Sequence, residues 1–119
     1  MRSPPPLLHD AYDLTLQLYK LVPTFPKAQR FVLGQRIENA AVDFLYAIDE
    51  ANTPRERATA LRRASVALDR LRLLLRIATD LGFMPVTRHE ALFTTLGALG
   101  RQVGGWIKWT DAQPRDTTP

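Results

Sequence analysis

The fold is decided by residues 53–81, which read TPRERATALRRASVALDRLRLLLRIATDL. Apolar residues recur in this stretch every three or four positions, the spacing that places side chains on one face of an α-helix. They are Leu61, Ala64, Leu68, Leu71, Leu75 and Ala78. Thr53 as the N-cap, Pro54 at the first helical position and Glu56 closing a capping box predict where the helix begins. Gly82 is the predicted C′ residue, so the stretch predicts one long amphipathic helix.

Three further segments have the same periodicity, and no segment alternates in the manner of a half-buried strand. The first helix is predicted over about Leu7–Val22, and the second over about Pro26–Ala51 with the proline in its first turn. The fourth opens at a Thr87–Glu90 capping box and runs to about Lys108. The inward-facing positions are Leu7, Ala11, Leu14, Leu18 and Leu21 in the first helix, Leu33, Ile37, Ala40, Phe44, Ile48 and Ala51 in the second, and Leu92, Leu96, Leu99, Val103 and Trp106 in the fourth.

A chain of 119 residues has the size of one domain with a hydrophobic core of its own. Four amphipathic helices with short loops predict an all-α fold, an antiparallel up-down four-helix bundle. We expect the bundle to occupy residues 7–108. A head of residues 1–6, with Pro4, Pro5 and Pro6 extended, and a polar tail of residues 109–119 are expected to be disordered.

Basic residues concentrate on the third helix. Seven of the sixteen basic residues lie within 53–81, and all seven are arginine: Arg55, Arg57, Arg62, Arg63, Arg70, Arg72 and Arg76. Against three acidic residues they give the segment a net charge of +4, equal to that of the whole chain. Arginine presents a planar fork of donors that matches phosphate oxygens, so the segment favours a nucleic-acid partner. A solvated helix face made of good helix formers is the alternative.

The third helix also has more apolar surface than a monomeric bundle needs. Val66, Leu73 and Ile77 lie within roughly 40° of each other on a helical wheel, nearly opposite the core stripe. The second helix adds a similar set, Phe31, Val42, Leu45 and Tyr46. Aligned exposed apolar residues indicate an interface. We therefore predict a homo-oligomer with Val66, Leu73 and Ile77 at the subunit interface, unless the assigned core face is rotated.

Glycines fall on one side of the fourth helix, at Gly97, Gly100 and Gly104, and Gly105 follows. Glycine in a helix interior costs up to about 1 kcal/mol relative to alanine. Three on one side indicate that another backbone or a ligand approaches closely there. A frayed helix end is the alternative.

Several function classes lack support in the sequence. The chain has no cysteine, and no apolar run approaches the ~18 residues of a membrane span. His9 and Asp13 share a helix face, but no second pair of ligands completes a metal site. No catalytic constellation or phosphate-binding glycine loop is present. We therefore expect a non-enzymatic protein without cofactor or metal. No long apolar leader follows the initial methionine, which favours a cytoplasmic location.

Three sequence strings resemble a known family. They are Gly100-Arg-Gln-Val-Gly-Gly-Trp-Ile-Lys108 in the fourth helix, Leu71-Arg-Leu-Leu-Leu-Arg76 in the third, and Phe25-Pro-Lys27 with Arg30 and Leu33-Gly34-Gln35 around the second. Together they resemble the accessory variability determinant proteins of diversity-generating retroelements. These belong to a wider group of four-helix proteins related to ribosomal-RNA intervening-sequence proteins. The resemblance covers roughly residues 7–108.

The resemblance implies a non-enzymatic partner of a reverse transcriptase, assembled as a ring or barrel of five protomers. Such a protein binds template RNA and cDNA through a basic surface and supports error-prone cDNA synthesis for mutagenic retrohoming. The motifs carry this role to Arg72, Arg76 and Arg101, which we expect to act mainly in cDNA synthesis. Charge clustering alone adds Arg62, Arg63 and Arg70 as exposed phosphate contacts.

Two other classes remain open on sequence grounds. One is an RNA- or ribosome-associated member of the intervening-sequence group that acts without a reverse transcriptase. The other is an interaction protein whose arginines only solvate it. A reverse-transcriptase gene beside this one would favour the retroelement role, and a location within ribosomal-RNA genes would favour the intervening-sequence group. A pure protein without any affinity for polyanions would favour the interaction protein.

Overall fold

The computed structural model describes residues 5–114 and contains four α-helices. They are α1 (Pro5–Leu21), α2 (Leu33–Glu50), α3 (Arg57–Asp80) and α4 (Val86–Ala112). Each helix packs against the next, and α4 returns to α1, so that α1 and α3 lie on one diagonal of a bundle measuring 53 × 23 × 20 Å. No strand occurs within these residues. The predicted all-α four-helix bundle is confirmed.

The hydrophobic core forms from the inward stripes that the sequence predicts. Every apolar position assigned to a stripe is buried, from Leu7 in α1 to Trp106 in α4. Trp106, Phe44 and Phe25 are the largest buried side chains. Burial of a large apolar side chain contributes about 1.5–3 kcal/mol, so these stripes supply the main stabilisation of the bundle. The assignment of the core face of α3 is therefore correct.

The second helix begins later than predicted. The chain forms two short 3-10 turns, Val22–Thr24 and Lys27–Gln29, before α2 starts at Leu33. Pro23 and Pro26 lack backbone donors and interrupt a continuous helix. Pro26 has an extended ψ of 138° and precedes the second turn instead of starting α2. Gly34 then lets the Val22 side chain pack directly against the first turn of α2.

Both predicted capping boxes are wrong. The α3 N-cap is Glu56, and Thr53 lies in the preceding turns, where its N–H donates to the Glu50 carbonyl. Helix α4 starts one residue before Thr87, because extended Pro85 occupies the N-cap position. Neither helix has a side-chain cap hydrogen bond. In both cases the turn geometry places the helix start a few residues from the threonine that the sequence pattern favours.

The predicted end of α3 is confirmed. Gly82 has a φ of 78°, and its N–H donates to the Thr79 carbonyl. The Phe83 N–H donates to the Ala78 carbonyl at 2.8 Å, which completes a Schellman motif. Only glycine adopts this left-handed conformation without strain, so Gly82 is where the chain turns from α3 toward α4.

The outer helices are longer than predicted. Pro5 and Pro6 belong to the first turn of α1 instead of an extended head, since proline fits the unpaired first turn of a helix. Helix α4 continues beyond Lys108 to Ala112 because Ile107 and Trp109 pack against the core. The rest of the head and tail, residues 1–4 and 115–119, lies outside the described residues. Their disorder stays a prediction.

Candidate functional site

Helix α3 lies between two grooves, one shared with α2 and the other with α4. Spacing along the helix turns Arg63 and Arg70 toward α2, and Asp69, Arg72 and Arg76 toward α4. The predicted binding residues are therefore divided between two surfaces.

The α2–α3 groove combines arginines with exposed apolar side chains. Arg62, Arg63, Val66 and Arg70 line one part of it together with Tyr46 of α2. Arg63 forms an ion pair with Glu50 across the groove. The groove continues past Leu73 and Ile77, which face Arg36 and Asn39 of α2. Val66, Leu73 and Ile77 are 48, 64 and 46% exposed, as expected of side chains outside the core.

Two predicted roles coincide in this groove. The sequence assigns Arg62, Arg63 and Arg70 to phosphate binding and Val66, Leu73 and Ile77 to subunit contact, yet all six lie along one surface. The additional apolar set on α2 divides differently. Tyr46 is exposed in the groove and Phe31 is exposed just before α2, whereas Val42 and Leu45 are half-buried on the other flank. An occupant of this groove would therefore meet arginines and apolar side chains together.

In the α3–α4 groove, the guanidinium group of Arg72 makes two polar contacts. Arg72 Nη1 lies 2.8 Å from Asp69 Oδ1, and Nη2 donates to the Leu96 carbonyl of α4 at 3.4 Å. The groove also contains Gly97, Gly100 and Arg101. A Cβ atom on Gly100 would lie only 2.8 Å from Arg72 Nη2. Glycine therefore opens the space in which the guanidinium group rests against α4.

This contact gives the glycine pattern a specific explanation. Within the described residues, the group that approaches α4 at Gly100 is the side chain of Arg72. A Cβ on Gly97 would similarly meet Arg101 Nη1 at 3.5 Å. Gly104 and Gly105 differ, because a Cβ at either position would meet no atom within 4 Å. The helix is continuous through all four glycines, so the frayed-end alternative is wrong.

Arg76 differs from Arg72 although the two are four residues apart. Its side chain is 71% exposed, and its Nε lies 3.8 Å from Asp80 Oδ2. Arg72 is therefore partly buried against α4, whereas Arg76 is exposed to solvent. Exposed ion pairs of this geometry contribute little to stability, so Arg76 can exchange Asp80 for another anion at small cost.

Arg57 is buried and lies outside any surface for a ligand. Its side chain is 5% exposed, and Nε donates to the Ala51 carbonyl at the end of α2 at 2.8 Å. The guanidinium carbon lies 5.2 Å from the Trp106 ring centroid and 5.7 Å from that of Trp109. Position 57 precedes Leu61 by four residues and is in line with the core stripe, a signal that charge counting overlooks. Arg57 fastens α2, α3 and α4 together.

Charge is divided unevenly over the bundle. On α1, two aspartates stand against one lysine, and on α2 four carboxylates stand against Arg36, so that these helices carry −1 and −3 with histidine neutral. On α3, six arginines stand against two aspartates, and on α4 three basic residues stand against two acids, which gives +4 and +1. With Lys27 and Arg30 of the connecting segment included, the α1–α2 half thus carries −2, whereas the α3–α4 half carries +5. The modest net charge of the chain conceals this polarity.

One carboxyl group on the acidic half, that of Glu38, has a raised pKa. Burial raises the pKa of Glu38 on α2 above the ordinary value for glutamate, because the ionised form loses hydration. Within residues 5–114 no salt bridge joins this carboxylate to a cation. Glu38 is therefore a partly desolvated acid on the surface of the single chain.

Two further features of the sequence are the His9–Asp13 pair and the length of the apolar runs. His9 Nε2 and Asp13 Oδ2 are 3.1 Å apart on an exposed face of α1. Across residues 5–114, no three histidine or carboxylate side chains come close enough to hold a metal ion. In the same part of the chain, no helix has both the length and the apolar character needed to cross a membrane.

A protein-family model matches most of the chain. No curated protein and no solved structure shows significant similarity to the chain. The model of a family described as bAvd-like matches residues 7–110, which include nearly all of the four-helix bundle and both grooves beside α3. The match also contains all three strings that carry the resemblance to accessory variability determinants. The chain belongs to the bAvd-like family.

Proposed function

We propose that this protein is a non-enzymatic accessory factor of a diversity-generating retroelement. In this role it binds a reverse transcriptase together with template RNA and cDNA, and it supports mutagenic cDNA synthesis and retrohoming in the cytoplasm, without a cofactor. The observation that carries the proposal is the family match over residues 7–110. That match spans the helical bundle itself instead of a short motif, so the function belongs to the surface of the whole bundle.

The charge distribution supports the nucleic-acid part of the proposal. The α3–α4 half carries +5, and Arg101 lies exposed at the α3–α4 groove without a carboxylate partner among the described residues. Arg76 is exposed on α3, and its one ion pair among residues 5–114 is with Asp80. Guanidinium groups on a surface of this kind contact phosphates and read little sequence. Binding is therefore expected to be sensitive to salt and tolerant of sequence.

The exposed apolar residues support assembly. Val66, Leu73 and Ile77 are aligned on α3 and lie outside the core. We propose a homopentameric ring, in which five chains of net charge +4 would carry about +20. Such a ring would attract a phosphate backbone far more strongly than one chain does. Light scattering on the purified protein tests the stoichiometry directly.

Reconstituted cDNA synthesis tests the function. The protein is added to the reverse transcriptase of a diversity-generating retroelement and to its template RNA, and cDNA yield is measured with and without the protein. We expect synthesis to depend on the protein, and binding of unrelated RNAs of equal length to agree within about tenfold. Unchanged cDNA synthesis together with co-sedimentation with ribosomes would contradict the proposal and favour the intervening-sequence alternative.

A further inference from the structure

Helix α1 carries an exposed apolar stripe that the four-helix core does not use. Tyr12, Leu16 and Tyr19 are 52, 41 and 45% exposed, and their spacing of four and three residues places them on one face. The buried side chains of α1, from Leu7 to Leu21, occupy a different face. Aligned exposed aromatic and aliphatic side chains of this kind are typical of a contact surface.

The position of this stripe in the bundle separates it from the apolar residues of α3. Helices α1 and α3 lie on a diagonal, so their outward faces point to different sides. The groove between α1 and α4 is lined by Asp10, Asp13 and Gln17 of α1 instead of the stripe. The stripe is therefore on the α2 side of the exposed surface of α1. One chain thus presents two unpartnered apolar surfaces that do not overlap.

The two surfaces differ in net charge. Along the α2–α3 groove, four arginines outnumber the two carboxylates of Asp43 and Glu50. Glu38 and Asp49 of α2 repeat with half-buried Val42 and Leu45 at helical spacing, and this flank lies away from the α2–α3 groove. We define the acidic face as Tyr12, Leu16, Tyr19, Glu38 and Asp49. We define the basic ridge as Arg62, Val66, Arg70, Leu73 and Ile77. Arg62 and Arg70 of the ridge form no ion pair among the described residues.

We propose that a second copy of this chain occupies the basic ridge, and that it docks through its acidic face. The inference rests on the homo-oligomer part of the proposed function and names the two surfaces that form its interface. Each surface offers apolar contact area, and the carboxylates of one meet the unpaired arginines of the other. Glu38, whose desolvation is uncompensated within one chain, gains a cationic neighbour.

The geometry of the two surfaces determines the symmetry of the assembly. Two different patches that pair head to tail form a heterologous interface, which generates a ring when the rotation closes. The basic ridge borders the α2–α3 groove, and the apolar stripe lies on the α2 side of α1, so both surfaces lean toward α2. The two surfaces therefore do not lie on opposite sides of the bundle, and this arrangement is compatible with closure into a ring. In such a ring Arg62 and Arg70 contact protein, while the α3–α4 groove stays open.

Two single variants and their mixture test the proposal. Leu16→Glu damages only the acidic face, and Leu73→Glu damages only the basic ridge. A charge in a packed interface is expected to raise the concentration needed for assembly at least about a hundredfold, so each variant alone should be monomeric. When the two are mixed, the intact ridge of one pairs with the intact face of the other. Light scattering should then give a 1:1 complex of twice the 13.5 kDa chain mass.

Controls separate this inference from the rest of the proposed function. Val86→Glu replaces an apolar residue on α4 that is about as exposed as Leu73, and it should leave assembly unchanged. Circular dichroism checks that each variant folds. If either variant unfolds, two charge-reversed double variants, Arg62→Glu/Arg70→Glu and Glu38→Arg/Asp49→Arg, replace the pair, with association again expected only on mixing.

The results decide between distinct conclusions. A mixture that stays monomeric, or a Leu16→Glu variant that assembles like the unchanged protein, overturns the pairing of these two surfaces and leaves an oligomer of other geometry. A monomeric unchanged protein overturns the assembly itself. The salt dependence of RNA binding, measured on the same samples, reports separately on the nucleic-acid part.

Discussion

Arginines lie on both the α4 side and the α2 side of α3, but their contacts on the two sides differ. Toward α4, Arg72 rests in a space opened by Gly100 and donates to a backbone carbonyl, and buried Arg57 contacts two tryptophan rings. Toward α2, Arg70 lies in a wide groove beside exposed Leu73 and has no ion-pair partner among the described residues. Arg76 also faces α4 but stays exposed, so the contacts of each guanidinium group, more than the number of arginines, decide which ones remain available to a partner.

The largest effect is expected when an arginine held by the bundle is removed. Arg57→Ala deletes a charge-assisted hydrogen bond to Ala51, two cation–π contacts and the packing between α2 and α4. We expect a loss of about 3–4 kcal/mol in the free energy of unfolding, measured by thermal or denaturant melts. Arg55→Ala, two residues away and exposed, is the matched control and should change stability by less than about 0.5 kcal/mol. Equal losses at both positions would show that Arg57 does not fasten the helices.

Arg57 also shows where sequence reasoning succeeds and where it stops. Periodicity identifies every core stripe correctly, because burial of apolar side chains at helical spacing dominates the stability of the bundle. The same periodicity places position 57 in line with Leu61, yet a charge count groups it with surface arginines. Its burial depends on the free carbonyl of Ala51 and on two tryptophans that lie about fifty residues later in the chain. Such partners are defined only by tertiary structure.

The helix boundaries show a second limit. A threonine followed by a glutamate three residues later favours a capping box at Thr53 and at Thr87, but Pro54 and Pro85 promote turn or extended geometry whose outcome depends on the loop.

The candidate site beside α3 also depends on tertiary structure. The arginines and apolar residues of α3 are visible in sequence, whereas their division between two grooves depends on the rotation of α2 and α4. The opposing acidic face combines α1 and α2, so one helix alone does not reveal it.

The comparison is sharpened by paired alanine variants at Arg101 and Arg62. If the α3–α4 groove contacts phosphate, Arg101→Ala should lower the salt dependence of RNA binding by about one unit and weaken affinity about fivefold at physiological salt. Arg62→Ala should instead weaken assembly and leave the salt dependence per assembled protein unchanged. Filter binding over a salt series and light scattering measure the two quantities.

The opposite result would support the prediction from charge clustering that Arg62, Arg63 and Arg70 contact phosphate. If Arg62→Ala lowers the salt dependence and leaves assembly intact, the α2–α3 groove is the nucleic-acid surface, with Arg63 and Arg70 acting beside it. The motif arginines give a further comparison: alanine at Arg72, Arg76 or Arg101 should reduce cDNA synthesis more than bulk RNA binding. Equal losses of both activities in the two sets would contradict a division of roles.

The smallest effect concerns two glycines of α4, of which Gly100 alone lines the α3–α4 groove. Gly104→Ala meets no neighbouring atom, so it should stabilise α4 by up to about 1 kcal/mol through helix propensity. Gly100→Ala gains the same propensity but must displace the Arg72 guanidinium from the Leu96 carbonyl, a loss of about 0.5–1 kcal/mol. Its net change should therefore be close to zero. Denaturant unfolding of both variants measures the difference, and the Arg72→Ala background provides the control. There the gap between the two alanines should vanish, since no guanidinium group remains to be displaced. A gap that persists without Arg72 would mean that Gly100 serves some purpose other than holding that side chain against α4.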